Sequence, residues 1–119
     1  MTILWIKKRK DFVRATHYGT KIIAKSLILQ AVEPFPPLVT PAPRLGITVT
    51  KKIGNAVKRN RARRRLKAAL RNHFKTNPVL PLDYVTVARP NSLTDPFTEL
   101  EKTIAWVFKK HRKILDGVA

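Results

Sequence analysis

Ten of the chain's 25 lysines and arginines fall between positions 51 and 71, in a stretch with no acid. They are Lys51, Lys52, Lys58, Arg59, Arg61, Arg63, Arg64, Arg65, Lys67 and Arg71. No Asp or Glu occurs between Glu33 and Asp83. Like charges at this density repel one another until a polyanion neutralises them, so the chemistry they suit is recognition of a phosphate backbone. Bond cleavage by the chain itself is not expected. General acid–base chemistry needs positioned pairs of His, or carboxylates that hold a metal. The three histidines are His17, His73 and His111, and the last two fall on apolar faces at helical spacing. The seven acids are scattered. No catalytic or metal-ligating residue is assigned.

The basic residues need an element that presents them. At about 100° per residue, Ala62, Leu66, Ala69, Leu70 and His73 gather on one side of a helix. Asn60, Arg61, Arg64, Lys67, Ala68 and Arg71 gather on the other. Gly54-Asn55 supplies a turn and an N-cap, and Asn77-Pro78 a stop, so the pattern predicts a helix over 55–74. Its first amides add an anion-binding surface beside Lys51 and Lys52. Arg59 falls toward the apolar side, either snorkelling past the core edge or entering a cleft beside the sheet.

Around this helix the chain suggests one domain, 1–119. A helix is expected over 8–16, with Phe12 and Ala15 on one face, closed by His17-Tyr18 and Gly19. Residues 21–32 suggest one strand, bent or split at Lys25-Ser26, with Leu27, Leu29 and Ala31 facing one way and Ser26, Ile28 and Gln30 the other. Five of nine prolines lie in 33–43, which suits a stiff surface loop and leaves proline-motif docking as the alternative. Strands follow at 45–50 and 83–88, with a loop at 91–95. Asp95-Pro96 is expected to cap a core-packing helix carrying Phe97, Leu100, Ile104, Val107, Phe108, His111 and Leu115. A small sheet covered by three helices results, an α+β or α/β arrangement, and right-handed crossover is the default for a parallel pair.

A net charge of +18 with 44% hydrophobic residues describes a folded, basic protein rather than a basic tail. No run approaches the ~20 apolar residues of a membrane span, so no membrane partner is expected. The lack of cysteine removes disulfides and thiolate metal sites and fits a cytoplasmic location. Three function classes remain open on composition: an RNA-processing subunit, a ribosomal or RNA-chaperone-type protein, and a free-standing nuclease.

The run from Gly46 to Arg61, GITVTKKIGNAVKRNR, resembles the signature of the bacterial ribonuclease P protein component. Arg59-Asn60-Arg61 matches that family's central motif. Lys8-Arg9-Lys10-Asp11-Phe12 with Gly19 matches its opening, and Asp83 through Arg89-Pro90 its later strand; the likeness spans residues 8–112. The resemblance implies a small α/β sandwich with a left-handed βαβ crossover, overriding the default. It implies a catalytic RNA subunit as partner and precursor tRNA as substrate, cut to remove the 5′ leader. Mg²⁺ ions would be held mainly by the RNA, with the protein assisting their productive binding. No obligate protein partner is expected.

Lys52, Arg59, Asn60, Arg61 and Arg64 carry over by position to RNA contact, Arg63 and Lys67 fit the pattern as basic positions, and Lys51, Asn55 and Lys58 complete the expected RNA-binding set. A leader-binding cleft is expected from Phe12, Gln30, Lys52 and Arg89, with the ring stacking on bases. The family often has aromatics where this chain has Thr16 and Gln30, and Tyr18 stands as a candidate replacement.

Overall fold

The computed structural model describes residues 3–117. Five strands form one mixed sheet in the order β1-β4-β5-β3-β2: β1 (Leu4–Trp5), β2 (Thr20–Ile23), β3 (Leu27–Val32), β4 (Arg44–Thr48) and β5 (Asp83–Ala88). Four helices accompany it: α1 (Arg9–Tyr18), α2 (Ala56–Thr76), the single turn α3 (Asn91–Thr94) and α4 (Phe97–Leu115). The predicted strand at 21–32 is split, into the antiparallel pair β2 and β3. Their turn lies where Lys25-Ser26 interrupts the apolar run. The β1 strand is an addition to the predicted set and pairs parallel with β4 through two residues.

β4 and β5 are parallel neighbours, and α2 makes the crossover between them. The register sets Leu45 beside Tyr84 and Ile47 beside Thr86, on the face that buries α2 and α4. Leu66, Leu70, Leu100, Ile104 and Val107 are fully buried there. An aromatic group closes one end of this core, with His73 stacked on Phe108 at 4.8 Å and Tyr84 edge-on to His111 at 5.7 Å. Burial lowers the pKa of both histidines, which fits structural roles for them.

The opposite face is covered over one half only. Alternation puts Val32, Gln30 and Ile28 of β3 on it, with Val85 and Val87 of β5. α1 lies across the end where β4 and β5 begin, and its anchor is ionic. Arg44 grips buried Asp83 through two hydrogen bonds of 2.8 and 2.6 Å and stands 3.6 Å from Asp11 of α1.

Three local expectations change. Gly19 closes α1 at φ −71, so left-handed geometry is not its reason; a Cβ there would stand 2.4 Å from the Ala15 carbonyl oxygen. His17 and Tyr18 are inside the helix rather than past its end. Residues 91–94 form a helical turn instead of a loop, and the Asp95 side chain does not cap α4. Its Oδ1 accepts from Asn91 at 3.3 Å, and the Pro96 carbonyl takes the first bonds of α4. The proline-rich segment runs as an irregular connection, with Phe35 and Val39 exposed.

Candidate nucleic-acid interface

α2 begins at Ala56, where Asn55 Oδ1 accepts from the Lys58 amide at 3.0 Å. The Asn55 side chain is thus a cap, as its place before the apolar pattern predicts. Gly54 ends the preceding turn at φ +138, and its carbonyl receives Arg59 at 3.3 Å. That bond answers the question left by Arg59, which is half-buried and folds back onto the turn before its own helix. Asn60 Oδ1 accepts from Arg63 at 3.3 Å.

The remaining cations form an open face. Lys51, Lys52, Lys58, Arg61, Arg63 and Arg64 are exposed, and among the described residues none has an acidic partner. Lys67 is half-buried, with Nζ 5.0 Å from the Trp5 ring, and Arg71 reaches the same ring at 5.9 Å. Trp5 is therefore part of this surface. The only sequence signal for it was an indole within the apolar opening run. Arg65 leaves the face altogether. Its guanidinium donates to the carbonyls of Leu93 and Asp95, pinning α2 to the end of α3. Those carbonyls lie 28 and 30 residues away, and periodicity on α2 gives no hint of them.

The second arrangement lies between α1 and the sheet. The Phe12 ring rests on Gly46, where an added Cβ would stand 2.7 Å from the ring. Glycine at this position of the strand is what lets the helix side chain lie on the sheet. Phe12 is half-buried against the cluster of Ile6, Ala15, Val32 and Val85. One ladder row carries Gly46, Val85 and Gln30 side by side, and the next carries Thr48, Val87, Ile28 and Ile23. The second row is the uncovered part: Thr48, Val87 and Ile28 are half-buried and Ile23 is 64% exposed. Gln30 is 7% exposed, yet its Oε1 has no hydrogen-bond partner among the described residues. A buried acceptor left open in this way costs free energy until a donor reaches it.

Parallel pairing brings the rest together. Thr48 lies beside Val87, so Lys52 and Arg89 follow the ends of two adjacent strands on the same edge of the sheet. The first turns of α2 start from that edge as well. Arg89 is partly committed, donating to the Ala24 carbonyl at 2.9 Å. Thr16 is exposed, and its hydroxyl returns to the Phe12 carbonyl at 3.1 Å. Tyr18 does not replace a cleft aromatic. It lies six residues beyond Phe12, about 240° around the helix, and meets Arg14 at 5.5 Å on the other flank.

A family model described as Ribonuclease P matches residues 4–112. The ribonuclease P protein component of Paramagnetospirillum magneticum is 40% identical over 106 residues, covering 88% of this chain and 80% of its own. Among solved structures, the Staphylococcus aureus RNase P protein superposes with a TM-score of 0.74 at 27% identity, covering 90% of this chain and 94% of that one. The RNase P protein from Thermotoga maritima gives 0.73 at 20% identity, over 88% and 94%, a likeness of fold. Since the family model spans nearly the whole sequence, the chain belongs to the ribonuclease P protein family.

Proposed function

We propose that this chain is the protein subunit of a ribonuclease P ribonucleoprotein that removes the 5′ leader of precursor tRNA. The observation that carries the reading is the unpaired cationic face of α2, starting from the same edge of the sheet as the uncovered shelf beside Phe12. Lys58, Arg61, Arg63 and Arg64 take phosphates of the RNA subunit. Lys51 and Lys52 stand before the free amides of α2, which favour an anion at the same place. The unpaired leader lies on the shelf. Phe12 offers a ring for stacking, Gln30 lies in the ladder row beneath it, and Lys52 and Arg89 follow the backbone. Mature tRNA lacks the leader, so the cleft favours precursor.

Phosphodiester cleavage belongs to the RNA subunit in this reading. Among the described residues, no three His, Cys, Asp or Glu side chains cluster to hold a metal ion. The two buried carboxylates, Asp11 and Asp83, both face Arg44. In this reading the Mg²⁺ ions are held mainly by the RNA. The test is reconstitution. Precursor tRNA should be cut at physiological Mg²⁺ only when the chain and the catalytic RNA are both present. Cleavage by the chain alone contradicts the assignment of chemistry to the RNA. An RNA enzyme unaffected by the chain contradicts the subunit role.

A further inference from the structure

The basic cluster at Lys7–Lys10 and the proline-rich loop have no part in the two sites above, yet the fold brings them together. They form the walls of a groove of about 430 Å³, within the range of small-ligand clefts, roughly 300–1,000 Å³. Lys7, Lys8 and Lys10 line it together with Phe35, Leu38 and Val39. The three lysines are exposed, and none has an acidic partner among the described residues. The single acid in the lining, Asp11, is 4% exposed and paired with Arg44 at 3.6 Å. The lysines therefore set the sign of the field in the groove.

Phe35 is an exposed ring held in place. It is 66% exposed, and the Arg14 guanidinium packs 5.3 Å from its centroid. Arg14 is itself fixed, its Nε donating to the Glu33 carbonyl at 3.0 Å. Arg14 stands outside the groove lining and leaves the ring available to it. Lys10, which lines the groove, stands two residues before Phe12, about 200° around α1, so this groove and the Phe12 cleft lie on different flanks of the helix. Trp5 lines the groove and also carries Lys67 and Arg71 of α2 over its ring. The cationic face of α2 thus continues past β1 into the groove.

We propose that this groove is a further RNA contact, taking an unpaired nucleotide of the RNA subunit whose strand passes along α2. The base stacks on Phe35, and the flanking phosphates meet Lys7, Lys8 and Lys10. An ordered aromatic beside free cations is the arrangement by which proteins hold single strands without reading sequence. The alternative occupant is an acidic protein segment. It suits the lysines but makes no use of a planar ring.

The proposal rests on the subunit reading, and one set of titrations separates the two. The full chain is titrated with fluorescent ribonuclease P RNA at several salt concentrations. Phe35→Leu keeps apolar area and loses stacking, and should weaken binding about tenfold. Phe35→Tyr should restore it. Lys8→Gln with Lys10→Gln should reduce the slope of log affinity against log salt by about 1.4, two single-strand phosphate contacts. In the assembled enzyme, Phe35→Leu should leave the preference for precursor over mature tRNA unchanged. Wild-type affinity in Phe35→Leu, with weakened binding in Arg61→Ala/Arg64→Ala, overturns the groove and leaves the α2 reading standing. Wild-type affinity in both overturns the two together. Equal losses in Phe35→Leu and Phe35→Tyr, or a loss of leader preference in Phe35→Leu, also overturn the proposal.

Discussion

α2 and α4 lie side by side on one face of the sheet, and both are long helices with basic residues, but they carry charge in different ways. α4 has five cations and two acids, Glu99 and Glu101, near its start. Lys102 meets Glu99 at 3.4 Å, Arg112 meets Asp116 at 3.6 Å, and Glu101 accepts from Asn72 of α2 at 3.1 Å. Acids early and cations late also suit the helix dipole. α2 carries nine cations and no acid over 21 residues. Arg61 and Arg64, and Arg63 and Lys67, stand at spacings where like charges oppose helix formation by about 0.2–0.5 kcal/mol per pair. Burial of Leu66, Ala69 and Leu70 holds the helix against that repulsion. Among the described residues, α4 pairs two of its five cations with acids, whereas none of the nine on α2 has an acidic partner.

The largest expected effect breaks or upholds this contrast directly. Arg61→Ala/Arg64→Ala should weaken affinity for ribonuclease P RNA about a hundredfold at moderate salt, each lost charged contact being about tenfold. Thermal stability should hold or rise, since repulsion is relieved. Lys109→Ala/Lys113→Ala on α4 is the matched control and should change affinity by less than about threefold. Similar losses in both doubles would erase the distinction.

Arg65→Ala sharpens it from within α2. Arg65 serves the fold, donating to the Leu93 and Asp95 carbonyls. Its loss should cost about 2 kcal/mol of stability in denaturant unfolding and leave RNA affinity nearly unchanged. A stable Arg65→Ala that binds RNA poorly would place Arg65 back on the RNA face.

How much of this was legible in the sequence follows from the range of the interactions. β5 and α4 match the predicted 83–88 and 97–115, because a run of β-branched and aromatic residues and a long apolar repeat are local signals. The open face of α2 was legible for the same reason. β1 was not, since two residues carry no period and their pairing with β4 is tertiary. The same holds for Arg65 and Trp5: identical in type to free cations and core aromatics, they take their roles from partners far away in sequence. Gly19 announced a helix stop, but the Ala15 carbonyl it makes room for, like the Phe12 ring over Gly46, emerges only from the fold.

Phe12→Ala carries the comparison to α1, whose half-buried ring is the proposed stacking platform. Binding of leader-bearing tRNA to the assembled enzyme should weaken about tenfold, one stacked base, while mature tRNA is spared. Equal losses for the two would make Phe12 a core residue only. His111 on α4 gives the smallest effect. Burial lowers its pKa and that of His73, so the unfolded chain takes up protons near pH 6.5 that the folded chain resists. Stability is therefore full above about pH 6.5 and declines as pH falls through and below it. His111→Leu should flatten that decline in urea titrations between about pH 7 and 5. An unchanged decline would move the proton uptake elsewhere.

The central claim is that the free cations of α2 meet phosphates, and counterion release measures this most directly. The affinity of the chain for ribonuclease P RNA is followed against salt for the wild type, Arg61→Ala and Lys109→Ala. Arg61→Ala should reduce the slope of log affinity against log salt by about 0.7–0.9, one phosphate contact, and Lys109→Ala should leave it unchanged. Parallel lines for all three proteins would mean that α2 does not lie on the RNA.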